Sequence, residues 1–435
     1  MVVSKFGGSS LADASQIEKV KRIVEDDLRR QIVIVSAPGK RTADDEKVTD
    51  LLYSCAATVQ AGRSCKSIFD TIRGRYTTIL SDLGMDKKLL DPALDEVFER
   101  IEAGEGAHYA ASRGEHLCAR LVATYFGWEF LDTEGLIIIA DDGSVDPATY
   151  ANLKEAIDPK KRYIVPGFYG SSINGSIQTF SRGGSDITGA ILSRAASASV
   201  YENWTDVSGI YSVDPRLVND AKVIERMTYR EVRELSGVGA GVFHEEAIAP
   251  VIAAKIPINV KNTNAPSDEG TWIVESRERL GHPLAGVAAK GGFTKITLHK
   301  LMLFKSIGIR HGLMTMMRVF GIRPAFSLFG VDSIVWLFDS NQASDSVIEA
   351  MSQRLKEEFD LDAIEVEHGC AVLGVVGAFV NEEPSLLSTV SAALGGAKVG
   401  MNFVNYGSSP VSLLVGISEK QATEAVKVLY HALFA

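Results

Sequence analysis

Four short stretches carry most of the side chains that could do chemistry. The first is Lys5-Phe6-Gly7-Gly8-Ser9-Ser10. Adjacent glycines let backbone N–H groups close on an anion, a following helix N-terminus adds partial positive charge, and Lys5 adds a full one. The same residues also make an ordinary strand-to-helix turn. The second is Ser181-Arg182-Gly183-Gly184-Ser185-Asp186. It repeats the glycine pair at a helix start. Its arginine can clamp a carboxylate or phosphate, and its aspartate can hold Mg²⁺ or orient a lysine. Asp186 could equally be a plain first-turn acid. The third, Ser112-Arg113-Gly114-Glu115, opens a helix with a carboxylate that could meet a ligand ammonium or lie on the surface. The fourth runs from Trp204-Thr205-Asp206 through Gly209-Ile210-Tyr211 to Asp214-Pro215-Arg216. A strand end, a turn, an aromatic ring and an arginine suit the edge of a nucleotide.

Other chemistries lack their residues. There is no Walker G-x-x-x-x-G-K-[ST], no protein-kinase H-R-D or D-F-G, and no G-x-S-x-G. Gly237-Val238-Gly239-Ala240-Gly241 has the wrong spacing for a dinucleotide loop, and His244-Glu245-Glu246 meets Ile248 where a zincin needs histidine. Cys55, Cys65, Cys118 and Cys370 form no C-x-x-C, so they read as buried reduced thiols. Across 435 residues, 45 Lys and Arg face 55 Asp and Glu, a net charge of −10 that argues against broad nucleic-acid or anionic-membrane binding. The longest apolar stretch, Val372–Val380, is strand-sized, and the N-terminus lacks the pattern of a secretory signal. The expectation is a cytoplasmic protein with no nucleic-acid or membrane partner.

The elements that must hold these motifs alternate. A strand over 1–6 leads to a helix capped by Asp13, with Gln16 completing a capping box. Residues 31–36 form a buried strand, and helical periodicity follows at 47–62, 86–102 and 111–126. Short strands are predicted at 136–139, 163–168, 177–180, 200–204 and 256–260, with a turn-rich stretch at 170–176 and a helix at 185–197. This order gives an α/β domain with a mainly parallel central sheet. After a Pro/Gly segment at about 280–292, two roughly matching β-α-β-β-α units follow, each ferredoxin-like. They read equally as duplicated small-molecule sensors or as one α+β domain without a ligand.

Taken together and in this order, the motifs resemble the aspartokinases of the amino-acid-kinase superfamily, over essentially the whole chain. Val3–Ser10, Val35-Ser36-Ala37 with Val48–Leu52, Ser112–Glu115, Arg182–Asp186 and Thr205–Arg216 carry the resemblance. It implies an αβα sandwich over 1–285 and two ACT-like regulatory modules over 294–364 and 365–435. The implied reaction is ATP- and Mg²⁺-dependent phosphorylation of the L-aspartate β-carboxylate. It would feed lysine, methionine and threonine synthesis and be inhibited by lysine or threonine, in a homodimer or larger assembly. The alternatives are an inactive amino-acid sensor or another carboxylate or carbamate kinase.

The resemblance also assigns roles. Lys5 would bridge the transferring phosphoryl group, and Gly7, Gly8 and Ser9 would contact ATP phosphates. Thr49 and Glu115 would meet aspartate, Glu115 at its ammonium. Arg182 would clamp a carboxylate beside Gly183, Gly184 and Ser185, and Asp186 would organise the lysine. Thr205, Asp206, Tyr211 and Arg216, with Gly241 and Val242, would line the nucleotide pocket. Gly241 departs from the family, which often has lysine there. The first ACT-like module departs as well, at Arg323–Phe329.

Overall fold

The computed structural model describes residues 1–181, 183–241, 247–279, 282–305 and 308–434. They divide into two compact units, the first made of 1–211, 222–233 and 241–278 and the second of 212–221, 234–240 and 279–435.

The chain up to residue 278 forms β1 (Val2–Phe6), α1 (Ala14–Asp26), β2 (Arg30–Val35), α2 (Val48–Gln60), α3 (Lys66–Asp82), α4 (Asp91–Glu102) and α5 (Gly106–Phe126). There follow β3 (Glu129–Phe130), β4 (Ile138–Ile139), α6 (Ala148–Ala156), β5 (Tyr163–Pro166), β6 (Tyr169–Ser172), β7 (Ile177–Thr179), α7 (Gly184–Ala195) and β8 (Val200–Thr205). The last are β9 (Arg226–Thr228), α8 (Tyr229–Gly237), α9 (Ala249–Ala253), β10 (Ile258–Asn262) and β11 (Thr271–Val274). The main sheet has the order β3-β5-β2-β1-β8-β10-β11-β9. All its pairings are parallel except β10–β11. Side chains alternate across this sheet. Phe6, Val33, Val35, Ile164 and Trp204 join the core built with α1 to α5. Tyr201 faces the other way and packs on α7, where a Cβ at Gly189 would come within 2.6 Å of its ring.

Several sequence expectations are corrected here. Asp13 accepts the Gln16 backbone N–H at 2.9 Å, but the Gln16 amide turns to Asn264, so the capping box is half made. The 17-residue helix α3 falls where no element was predicted. Its Phe69, Ile72, Tyr76, Ile79 and Leu80 keep helical spacing, but Thr71, Gly74, Thr77 and Thr78 dilute its propensity. Part of the turn-rich stretch is β6.

The second unit holds β12 (Gly286–His299), α10 (Ile309–Val319), β13 (Phe326–Phe329), β14 (Ser333–Asp339), α11 (Asp345–Phe359), β15 (Ala363–Val376), α12 (Leu386–Gly396), β16 (Phe403–Tyr406), β17 (Ser412–Ser418) and α13 (Ala422–Phe434). Its six strands form one antiparallel sheet, β13-β14-β12-β15-β17-β16. Two strands serve both halves. Phe293–His299 of β12 pair with β14, and Gly286–Lys290 of β12 pair with Val372–Val376 of β15. The register shifts between them, at Gly291-Gly292, where Gly292 has φ +77°. The segment predicted as a linker therefore begins a strand.

Candidate active site

Strands β1 and β8 run side by side in parallel, with Lys5 opposite Asn203. Both point to the α7 side, where the first turn of α7 carries Asp186. Lys5 Nζ lies 2.7 Å from Asp186 Oδ1. Asn203 Nδ2 donates to the same oxygen at 2.7 Å, and Tyr201 Oη donates to the Asp186 backbone carbonyl at 3.2 Å. The ion pair is largely buried, with side-chain exposures of 11% and 19%. Removing either partner would strand a charge in low dielectric. The first two motifs, far apart in sequence, thus meet at one carboxylate. Asn203 went unread, although a polar residue inside the buried run Val200–Trp204 was the available signal.

The two glycine pairs are built differently. The Gly7 N–H donates to the Trp204 carbonyl at 3.1 Å, tying the first loop to β8. Gly8–Leu11 then form a single 3₁₀ turn, and α1 starts only at Ala14 with Asp13 on its N-cap. The expected helix N-terminus is therefore not at this loop, and its free N–H groups are partly taken by Asp13. Gly8 is fixed by crowding instead. A Cβ there would come within 2.9 Å of the Ala37 carbonyl, and one at Gly39 within 2.6 Å of the Gly8 backbone. The Gly39 N–H donates to the Gly8 carbonyl at 2.8 Å.

The second pair does open a helix. Gly183 is the α7 N-cap at φ +60°, and among the described residues no side chain caps that helix. A Cβ on Gly184 would come within 2.4 Å of the Phe168 ring, and Phe168 itself holds φ +79°. Such strain in a bulky residue is kept where close approach matters. Ser185 packs against Gly167, where a Cβ would lie 2.5 Å from Ser185 Oγ. Arg182 lies outside the described residues.

Glu115 is not at a helix start, because α5 begins at Gly106. Nor is it a surface acid. It is 5% exposed, and among the described residues its Oε2 has no hydrogen-bond partner. Burial pushes its carboxyl up to about 8, offset in part by backbone hydrogen bonding from Ala37 and by the charge of Arg113. Gly114 lets α5 approach α2, since a Cβ there would meet Ala37, Leu52 and Val48. That packing places Glu115 near the start of α2, where Thr49 sits half-buried in the first turn. Ser9 is exposed on its turn.

Thr205 ends β8, its hydroxyl 3.2 Å from Asp206 Oδ1, and Tyr211 bridges to Val223. These three lie in the first unit, but Arg216 falls in the second, fully paired to Asp214 at 2.6 Å. Gly241 is exposed, and Val242 lies outside the described residues. Among the described residues no group of three His, Cys, Asp or Glu side chains is placed to hold a metal ion, and no helix is long and apolar enough to cross a membrane.

Known proteins resemble this chain along its whole length. Residues 1–262 match the amino acid kinase family and residues 373–433 match an ACT domain. The chain is 36% identical to aspartokinase 3 of Bacillus subtilis, covering 100% of this chain and 99% of that one. The chain belongs to the aspartokinases. Among solved structures, this aspartokinase superposes on the aspartate kinase of Clostridium acetobutylicum with a TM-score of 0.91 at 40% identity, over 100% of both chains. It also matches E. coli aspartokinase III over 100% of both chains in two states. The complex with aspartate and ADP gives 0.84 at 26% identity, and the complex with lysine and aspartate gives 0.77 at 25%. The aspartokinase fold thus pairs a mainly parallel kinase sheet with an antiparallel ACT sheet.

Proposed function

We propose that this aspartate kinase transfers the γ-phosphoryl group of ATP to the β-carboxylate of L-aspartate at the point where its two glycine loops meet. The observation that carries this reading is the buried Lys5–Asp186 pair, steadied by Asn203. A carboxylate with a pKa near ~3.9 is already a nucleophile at neutral pH, so no general base is required. The site's task is alignment and charge neutralisation. Lys5 bridges the transferring group while Asp186 and Asn203 fix its direction. Gly7, Gly8 and Ser9 meet the phosphates, and Thr205, Asp206 and Tyr211 border the nucleotide, with Gly241 and Val242 completing that pocket. Thr49 and Glu115 receive the amino acid, and the uncapped start of α7 at Gly183, Gly184 and Ser185, with Arg182, receives a carboxylate.

Mg²⁺ fits this donor set as an ion that arrives on the nucleotide, because it keeps phosphate and water ligands and needs only one or two carboxylates, with Asp186 the candidate here. When bound it would neutralise charge on the β- and γ-phosphate oxygens.

The product, 4-phospho-L-aspartate, would feed lysine, methionine and threonine synthesis. We assign the kinase domain to 1–285 and regulatory modules to 294–364 and 365–435, with lysine or threonine as feedback effector, in a cytoplasmic homodimer or larger assembly. The lysine complex of the E. coli relative supports an effector of this class. A hydroxamate assay with aspartate, glutamate and carbamate, each with and without lysine or threonine, tests the reading. Aspartate alone should turn over above background, and an end product should suppress it. No aspartate turnover overturns the catalytic part, and insensitivity to both lysine and threonine overturns the regulatory part.

A further inference from the structure

The loop from Ala37 to Lys47, between β2 and α2, has no regular structure, yet it backs directly onto the first glycine loop. One side chain of α3 holds it. Arg75 is 4% exposed, and its guanidinium reaches both loops at once. Nη2 donates to the Gly39 carbonyl at 2.6 Å and to the Ala12 carbonyl at 3.5 Å, just past the 3₁₀ turn. Nη1 donates to Asp45 Oδ2 at 2.7 Å and to the Glu46 carbonyl at 3.2 Å. Asp45 is gripped from the other side by Arg41, through Nε at 2.9 Å and Nη2 at 3.0 Å. The Arg41 hydrogen bonds hold its carboxyl well below the usual range, helped by the charge of Arg75. The chain of bonds runs from Arg75 to Gly39, and from the Gly39 N–H to the Gly8 carbonyl. A planar, five-donor guanidinium can bridge several carbonyls at fixed angles, and a lysine cannot.

We propose that Arg75 is a positioning residue for phosphoryl transfer: it locks the 37–47 loop against the Gly7-Gly8 turn and so sets where the nucleotide phosphates lie relative to Lys5. This rests on the functional reading above. The Ala37 backbone also hydrogen-bonds Glu115, but Arg75 grips the loop at Gly39, beside Gly8, so the larger effect should fall on the nucleotide side.

Arg75→Lys, Arg75→Met and Asp45→Asn would be assayed in the full chain, per folded molecule, with Mg·ADP affinity measured separately by calorimetry. Arg75→Lys should lower kcat about tenfold or more and raise KM for ATP, with KM for aspartate within about threefold of the parent. Arg75→Met should be worse than Arg75→Lys, and Asp45→Asn milder. A purely structural role would lower melting temperature and yield but leave kcat and both KM values per folded molecule unchanged, and that result overturns the proposal. If neither Arg75 variant folds, Asp45→Asn decides. A raised KM for ATP with an unchanged KM for aspartate upholds the proposal, and two unchanged KM values overturn it. If the parent binds Mg·ADP but does not phosphorylate aspartate, the functional reading fails alone. Arg75 is then judged by whether Arg75→Lys weakens ADP binding.

Discussion

The two glycine pairs look alike in sequence and work differently in the fold. Gly7-Gly8 sits at the end of a strand, on a 3₁₀ turn, and the helix beyond it is capped by Asp13. Its positive charge comes from Lys5, and its shape comes from the neighbouring 37–47 loop pressing on Gly8. Gly183-Gly184 opens α7 directly, and among the described residues no side chain caps the helix start. There the backbone itself supplies the partial charge. A glycine pair before a helix therefore does not tell which of its neighbours supplies the field. The register of the capping residue does.

That contrast can be broken at several points. The largest effect should come from the one full charge in the first loop. Lys5→Ala should lower kcat ~10²–10³-fold, with both KM values nearly unchanged, in steady-state assays. Next is Gly184→Ala, whose new methyl would sit 2.4 Å from the Phe168 ring and 2.9 Å from its Cα. Misplacing α7 should cost on the order of 10²-fold in kcat/KM for aspartate. Gly8→Ala meets the Ala37 carbonyl at 2.9 Å and the Gly39 backbone at 3.3 Å, and should cost less and act on the ATP side.

The fourth effect is one of pH. In the free enzyme the Glu115 carboxyl titrates near 8, raised by burial. Below that value it holds its proton and gives no charge to an incoming ammonium. Then kcat/KM for aspartate should rise about fivefold from pH 7 to pH 8, nearly double again by about pH 9 and then level off, in a pH–rate profile. Glu115→Gln should be flat and low across that range. The smallest effect is at the capped helix. Asp13→Ala should cost about 1 kcal/mol in denaturant unfolding and leave kcat unchanged. If it sharply altered kcat, the α1 terminus would belong to the site after all.

Much of the site was readable because its chemistry is local. Lys5 before a glycine pair and Asp186 after one are chemical statements whatever the fold. Their meeting required only that α7 pack against β1. What could not be read depends on residues distant in sequence. Glu115 looked like a surface acid because its burial comes from α2 packing across Gly114. Asn203 becomes meaningful only once β8 lies beside β1. Arg75 sits in a helix that weak propensity hid, and apart from Asp45 its partners are backbone carbonyls that carry no sequence signal. The ACT half shows the same limit. The matching units were visible, but the sharing of β12 and β15 between them is a matter of long-range pairing across a register shift.

The central claim is that the two loops act as one device through the Lys5–Asp186 pair. A double-mutant cycle in kcat tests it most directly, with Lys5→Met, Asp186→Asn and both together. The account predicts strong non-additivity, the double variant being little worse than Lys5→Met alone. Losses that simply multiply would contradict it, because the two residues would then be working independently.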